Sequence, residues 1–263
     1  MTLESFGLRN LPDSEAFPFN LPLIKNLETV KLKNNITFLV GENGAGKSTL
    51  LEALAYATNV PVAGGVSIAD DPLMQAAREL GKMLSVRYTQ KSNSGFFSRA
   101  EDFIGFVKNI QQKIAGLSQE IQEIEDSWTG GDLNLATKYI KAERQALIDR
   151  YGEDLDAMSH GEGFLKFFLG RITGKGLYIM DEPEAALSPQ RQLSLISLIM
   201  QKVKENDSQF IIASHSPIIM AIPGAQILNI EEGKITEISW RETAHYQITR
   251  QFLDNPEVYL REL

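Results

Sequence analysis

Apolar positions along this chain fall into short runs and longer periodic ones. Ile36–Val40, Gly176–Met180 and Gln209–Ala213 are short and rich in β-branched and aromatic residues, which predicts buried strands. Leu50–Ala57 follows the first run with strong helix formers at helical spacing, and predicts a helix. Leu27–Leu32 alternates apolar with polar residues, which is typical of a half-exposed strand. We therefore expect an α/β protein with an N-terminal antiparallel edge sheet.

A different period runs through residues 101–127. Apolar residues recur there at alternating steps of four and three, the coiled-coil period, at Phe103, Val107, Ile110, Ile114, Leu117, Ile121 and Ile124. After Gly130-Gly131, a second helix is predicted over Leu133–Tyr151, with an apolar stripe of Leu135, Tyr139, Ala142 and Ala146. The two helices predict an antiparallel hairpin at most about 40 Å long. It is inserted at about 100–158 into a single domain spanning 1–263, either packed on the core as a small subdomain or protruding to bind a partner.

The segment between the first predicted strand and its helix matches G-x-x-x-x-G-K-[ST], the phosphate-binding P-loop. Its residues are Gly41, Glu42, Asn43, Gly44, Ala45, Gly46, Lys47, Ser48 and Thr49. Glycines allow a tight turn in which successive N–H groups face phosphate oxygens at a helix N-terminus. The Lys47 ammonium can reach the β- and γ-phosphates, and the Ser48 hydroxyl can ligate Mg²⁺. The motif predicts that the chain binds a nucleoside triphosphate.

Polar residues follow the two later strands. Asp181 ends one strand and can hold Mg²⁺ or its water, while the adjacent Glu182 can orient and deprotonate an attacking water. His215 follows the other strand, where it can hydrogen-bond a γ-phosphate. Gln90, at the end of a predicted strand over 83–89, is a further candidate to approach the metal or the γ-phosphate. An Asp-Glu pair before Pro183 is also a helix-start signal, but the P-loop upstream favours a catalytic role.

A third candidate element precedes the apolar segment Phe164–Leu169. Ser159 and Glu162 have the spacing of a capping box, which by itself explains both residues. A capped helix start with free N–H groups and a serine hydroxyl is also an anion site. Because the P-loop has its own helix, this second site would meet a γ-phosphate only across a two-fold axis.

Composition narrows the class of protein. Hydrophobic residues make up 43% and charged residues 23% of the 263 residues, which are ordinary values for a globular protein. The net charge of −8 argues against a generally basic nucleic-acid surface, although nucleic-acid binding stays possible. The absence of cysteine excludes disulfides and cysteine-based metal or nucleophile chemistry. With no secretory signal or membrane-spanning apolar stretch in the sequence, we expect a cytoplasmic protein.

The order of these motifs resembles that of ABC-type ATPases over about Leu3 to Pro256. The sequence looks most like stand-alone bacterial predicted AAA-family ATPases of that superfamily, related in style to chromosome-maintenance and recombination ATPase heads. The resemblance is carried by Gly95–Glu101, Ser159–Glu162, Asp181–Gln192 and His245–Arg250. The last segment has no other distinguishing feature and predicts a C-terminal helix packed on the core. The resemblance implies a P-loop NTPase fold with a mostly parallel central sheet.

The resemblance also implies a head-to-tail dimer that sandwiches two ATP molecules. In that arrangement the P-loop holds the phosphates, Ser48 and Asp181 hold Mg²⁺, and Glu182 activates water. His215 contacts the γ-phosphate, and Ser159 and Gly161 complete the site of the partner. The signature departs from the usual Leu-Ser-Gly-Gly-Gln at His160 and Glu162, and Ser188 stands where many transporters have Asp. Arg99 is a rival to Gln90 as the residue that senses the γ-phosphate.

Three functions remain open on this evidence. The first is a soluble ATPase whose dimerisation cycle drives an unknown partner through the helical hairpin. The second is the ATPase subunit of a membrane transporter, and the third is an ATP-gated clamp on nucleic acid or protein with little turnover.

Overall fold

We analysed a computed structural model that describes residues 3–10, 12, 14–63, 67–90, 94–99, 102–152, 160–172 and 174–261. Within these residues, the strands are β1 Leu3–Leu8, β2 Val30–Lys31, β3 Ile36–Gly41, β4 Leu84–Tyr88, β5 Gly95–Arg99, β6 Leu177–Asp181, β7 Gln209–Ala213, β8 Gln226–Glu231 and β9 Lys234–Ile238. The helices are α1 Pro22–Lys25, α2 Lys47–Thr58, α3 Gln75–Met83, α4 Asp102–Ser127, α5 Leu133–Tyr151, α6 His160–Arg171, α7 Pro189–Asn206, α8 Pro217–Met220, α9 Ala244–Asp254 and α10 Pro256–Leu260.

The described strands form two sheets. The larger has six strands in the order β5-β6-β7-β3-β8-β9, parallel throughout except for the β8–β9 hairpin. The smaller is antiparallel, in the order β2-β1-β4. These two sheets confirm the predicted α/β fold with a mostly parallel central sheet and an antiparallel edge sheet.

The central sheet is buried on both faces, which explains its unbroken apolar runs. Because successive side chains of a strand point to opposite faces, each strand contributes to two cores. Phe38, Tyr178 and Phe210 face one core, which is completed by residues of α6, α7 and α8. Leu39 and Ile211 face the other, which is completed by α2, α3 and the antiparallel sheet. Tyr178 and Phe210 stack with ring centroids 5.1 Å apart, so the middle of the sheet is rigidly packed.

The predicted hairpin is present as α4 and α5, which pack against each other. Of the predicted α4 seam residues whose side chains the structure describes, Ile114 is buried, and Ile110, Leu117, Ile121 and Ile124 are partly buried. Polar contacts also cross the hairpin: Lys113–Glu143 and Lys141–Glu125 are ion pairs of 2.8 Å, and Arg144 Nε donates to Ser118 Oγ at 2.8 Å. The heptad period of α4 therefore correctly identified its packing face.

The predicted stripe of α5 is wrong. Leu135 is 64% exposed and Tyr139 is 83% exposed, and Ala142 and Ala146 are exposed as well. The inward face instead includes Ala136, Thr137, Ile140, Arg144, Leu147 and Tyr151. The inward face carries a polar threonine and an arginine, so it is less apolar than the exposed stripe. A prediction from periodicity alone therefore chose the wrong face.

We predict that Ile114→Ala lowers the free energy of unfolding by about 2–4 kcal/mol, because it removes buried apolar volume from the hairpin seam. Leu135→Ala, the matched control on the exposed stripe, should change it by less than about 0.5 kcal/mol. Urea titrations followed by circular dichroism would measure both values. Equal losses for the two variants would contradict the α5 orientation described here.

Candidate functional site

The P-loop lies between β3 and α2, at the carboxyl end of the central strand. Gly44 and Gly46 have φ of 81° and 92°, in the left-handed region that favours glycine. A Cβ atom on Gly46 would come 3.2 Å from Leu23 Cδ2, whereas one on Gly44 would meet open space. Gly46 is the cap residue of α2, and Lys47, Ser48 and Thr49 form its first turn. The first-turn N–H groups of α2 therefore belong to an anion-binding loop.

Lys47 is folded back over the loop. Its side chain is only 5% exposed, and Nζ donates to the carbonyl oxygens of Gly41 at 2.7 Å and Glu42 at 2.8 Å. Burial lowers the pKa of Lys47 below its ordinary value, while Glu182 and Asp181 oppose this shift. The carbonyls that hold the ammonium are neutral, so only the nearby Glu182 and Asp181 carboxylates offset its charge, and the loop can bind an anion such as a phosphate.

Asp181 ends β6 beside this loop. It is 8% exposed, it hydrogen-bonds with the Ser48 side chain, and burial raises its pKa to about 6. Its Oδ1 atom is buried and has no hydrogen-bond partner among the described residues. An orphaned carboxylate oxygen next to a hydroxyl is the donor set that Mg²⁺ prefers. The described part of the chain has no group of three His, Cys, Asp or Glu side chains that could hold a metal ion, so a cation here would need further oxygens from phosphate or water.

Glu182 follows directly and has an unusual backbone. Its φ is 48°, a left-handed conformation that a residue with a Cβ rarely adopts, and its N–H donates to Ala213 O at 3.0 Å. The side chain is 43% exposed and therefore open to solvent beyond the loop. The chain thus turns sharply after β6 and presents the carboxylate where water can reach it.

His215 reaches the same place from β7. Glu184 Oε1 fixes its position by accepting from the backbone N–H of His215 at 2.7 Å and from Ser214 Oγ at 2.8 Å. His215 Nε2 lies 3.4 Å from Glu182 Oε1, and Nδ1 lies 2.7 Å from Nε2 of His245. The structure therefore brings together Lys47, Ser48, Asp181, Glu182 and His215, as the sequence predicted.

His245 is the site residue that sequence reasoning did not assign. It is the second residue of α9, and a cleft of about 720 Å³ beside the P-loop is lined by Gly41–Ala45, Asn229–Gly233 and the start of this helix, including His245. Burial lowers the pKa of His245, and His215 and Lys47 lower it further against an opposing effect of Glu42. The only sequence signal was its place in the segment His245–Arg250.

The prediction of Gln90 as a metal ligand is corrected. Gln90 Oε1 accepts from Lys175 Nζ at 3.1 Å, and Lys175 precedes the start of β6, whereas Asp181 ends it. At about 3.3 Å per residue the two positions lie roughly 20 Å apart. β4, which leads to Gln90, belongs to the antiparallel sheet, so the strand that was expected to deliver Gln90 does not lead to the site.

Arg99 lies closer to the site, because it pairs in register with Asp181 across β5 and β6. Its guanidinium is held by Asp102 at 3.1 Å and by Glu52 of α2 at 3.7 Å. In the structure the Arg99 guanidinium is therefore paired with these two carboxylates. Ser159 lies outside the described residues, and Gly161 is the second residue of α6.

Comparisons with known proteins agree with this geometry. One family model described as an AAA domain matches residues 18–64, and a second, described as an AAA domain of a putative AbiEii toxin from a type IV toxin–antitoxin system, matches 149–221. The chain is 27% identical over 261 residues to the nisin transport ATP-binding protein NisT of Lactococcus lactis, covering 94% of this chain and 40% of that protein. It is 24% identical to the lipoprotein-releasing system ATP-binding protein LolD of Ehrlichia chaffeensis, covering 92% of this chain and 98% of that protein.

Among solved structures, the Smc head domain of Pyrococcus furiosus, with an extended coiled coil and bound to the C-terminal domain of ScpA, shares the fold. The match has a TM-score of 0.50 and 14% identity, and covers 97% of this chain and 99% of that one. These findings support an ABC-superfamily ATPase. In the vocabulary of this superfamily, the P-loop is called Walker A, and the strand-end carboxylate that binds the metal, the role predicted for Asp181, belongs to Walker B. No helix in the described residues has the length and apolar character needed to cross a membrane.

We predict that Asp181→Asn stabilises the ligand-free protein at pH 7.5 by about 3 kcal/mol, because burial raises the pKa of Asp181 from 3.8 to about 6 and each pKa unit corresponds to about 1.4 kcal/mol. The folded wild type holds its Asp181 proton more tightly than the unfolded chain does. Its unfolding free energy therefore falls as the pH rises from about 4 to 6, and the asparagine variant lacks this loss. The advantage of the variant should nearly disappear at pH 4.

Thermal unfolding at several pH values, with and without MgCl₂ and ATP, would measure this effect. Asp70→Asn, an exposed carboxyl, is the matched control and should show no such pH-dependent difference. An Asp181→Asn variant that is less stable than the wild type at pH 7.5 would contradict the described environment of Asp181.

Proposed function

We propose that this chain binds Mg-ATP and hydrolyses it as an ATP-sandwiched homodimer, and that this cycle drives a conformational change in a partner. The single observation that carries the proposal is the convergence of Lys47, Asp181, Glu182 and His215 at one edge of the sheet. An ammonium, a cation-binding carboxylate, a solvent-accessible carboxylate and an imidazole are the groups that phosphoryl transfer to water requires.

Each residue has a defined role in this proposal. The Gly41–Gly46 amides and Lys47 hold the β- and γ-phosphates, and Ser48 with Asp181 would hold Mg²⁺. Magnesium supplies charge neutralisation on the phosphate oxygens. Glu182 accepts a proton from the attacking water, and His215 Nε2 donates to the γ-phosphate. Positioning and charge stabilisation account for most of the catalysis in this reaction class.

The proposed dimer would cover an open side of the site. Glu182, next to the P-loop, is 43% exposed, so the expected γ-phosphate position is open to solvent there. A second chain that presents the start of α6, with Gly161 and the preceding Ser159, would cover that opening and exclude bulk water. Closure of this kind strengthens the electrostatic interactions inside the site.

We predict that Glu182→Gln lowers ATP turnover by about 10²- to 10⁴-fold, because it removes the general base while it keeps the size of the side chain. Its affinity for ATP should stay within a few-fold of the wild type. Phosphate release and nucleotide titration would measure the two quantities. Glu205→Gln, an exposed glutamate on α7, is the matched control and should retain full activity.

We also predict that Glu182→Gln shifts from monomer to dimer when Mg-ATP is added, because bound ATP is no longer consumed. Light scattering on a sizing column would show the change in mass. The double variant Lys47→Ala/Glu182→Gln should remain monomeric, since it loses the phosphate-binding ammonium. A Glu182→Gln variant that binds ATP and stays monomeric would rule out the homodimer and direct attention to a partner protein.

The names of the curated relatives favour a second candidate, an ATPase subunit of a membrane transporter. This candidate predicts that turnover by the isolated chain is slow and requires a permease. A clamp with little turnover, the third candidate, predicts that the wild type itself remains a long-lived dimer with ATP. The dimer lifetime and the basal rate of the wild type therefore separate the three.

A further inference from the structure

His245 comes into contact with His215 from a part of the chain remote from the nucleotide motifs. The imidazole rings have centroids 4.8 Å apart and planes at 61°, and His215 Nδ1 lies 2.7 Å from His245 Nε2. Thr243 caps α9 by accepting from Tyr246 N, and so fixes the helix start that carries His245. This distance is that of a hydrogen bond, so one proton lies between the two rings.

Two placements of that proton are possible when both rings are neutral. If His215 Nδ1 carries it, His215 Nε2 has no hydrogen. Two hydrogen-bond acceptors, this nitrogen and Glu182 Oε1, then lie 3.4 Å apart, which is unfavourable. If His245 Nε2 carries it, His215 Nε2 is an N–H that lies 3.4 Å from the Glu182 carboxylate, which favours it electrostatically, and that donates no hydrogen bond among the described residues. Only the second placement gives complementary groups at both contacts of His215.

The surroundings of His245 favour the same placement. Its Nδ1 atom is buried and has no hydrogen-bond partner among the described residues. With the proton on Nε2, this orphaned atom is a bare acceptor. A protonated Nδ1 would instead bury an unpaired donor or, with Nε2 also protonated, a charge close to Lys47.

We propose that His245 is a positioning residue whose Nε2–H donates to His215 Nδ1 and so holds a proton on His215 Nε2. That nitrogen faces Glu182 and the expected γ-phosphate position. A neutral His215 then acts as a hydrogen-bond donor without first having to be protonated. The consequence for hydrolysis rests on the proposed function, whereas the placement of the proton in the free protein does not.

The first test is independent of activity. The chain contains three histidines, so labelling histidine with ¹⁵N gives three imidazoles, which single-histidine variants assign. In the ATP-free wild type we expect His215 to carry hydrogen on Nε2 and none on Nδ1, and His245 to carry hydrogen on Nε2. A His215 with hydrogen on Nδ1, whether neutral or fully protonated, would overturn the proposal.

The second test compares a substitution that keeps a hydrogen-bond donor with one that removes it. His245→Gln places an amide N–H near the position of Nε2, whereas His245→Phe keeps a ring and removes the donor. We expect His245→Phe to lower kcat about 10-fold, the usual scale for losing such an orienting partner, with less than about a twofold change in KM. His245→Gln should recover most of kcat. Equal kcat losses for the two folded variants would overturn the proposal.

These outcomes are separable from failure of the proposed function. A wild type without ATPase activity would refute hydrolysis, and the nitrogen spectra would still report the tautomer. An active wild type with the other tautomer would refute the role of His245 alone. Thermal melts of both variants check that a loss of kcat does not reflect unfolding.

Discussion

The site depends on the parallel arrangement of β3, β6 and β7. These strands are neighbours in the order β6-β7-β3, so their carboxyl ends lie side by side at one edge of the sheet. The P-loop, the Asp181-Glu182 pair and His215 each begin where one of these strands stops. Residues far apart in sequence therefore meet without long side chains or loops, because the open edge of a parallel sheet is where ligands bind. The two apolar cores keep the strands in register, and that register fixes the distances in the site.

Three residues at this edge of the sheet adopt arrangements that lower the stability of the ligand-free protein. Lys47 donates to carbonyls of its own loop, Asp181 has a buried oxygen without a partner among the described residues, and Glu182 has a left-handed backbone. Each feature costs stability, since buried charges and unpaired polar atoms favour the unfolded chain. An anion with a divalent cation would relieve the first two costs together. A ligand that bound at these residues would therefore also stabilise the fold.

Sequence reasoning succeeded where the signal was local. The P-loop, the strand ends at Asp181 and His215, and the seam of α4 each follow from a motif or from a period within one element. It failed where the partner lay elsewhere in the chain. Gln90 was placed near the site because it ends a predicted strand, but that strand pairs in the antiparallel sheet, and pairing between strands is not encoded locally. His245 was missed because only the folding of α9 against the P-loop cleft gives that histidine a chemical neighbour.

The hairpin and the nucleotide site are connected through Arg99. Arg99, at the end of β5, pairs with Asp102 in the first turn of α4 and with Glu52 on the P-loop helix α2. The other arm, α5, ends just before the segment that leads to α6. The hairpin therefore begins next to α2, the P-loop helix, and is followed in the chain by α6, the helix that would face the phosphate of a partner chain in the proposed dimer. The ion pairs of Arg99 with Asp102 and Glu52 therefore link the start of α4 to α2. A partner bound to the exposed face of the hairpin would be connected to the P-loop helix by this path, whichever of the three proposed functions holds.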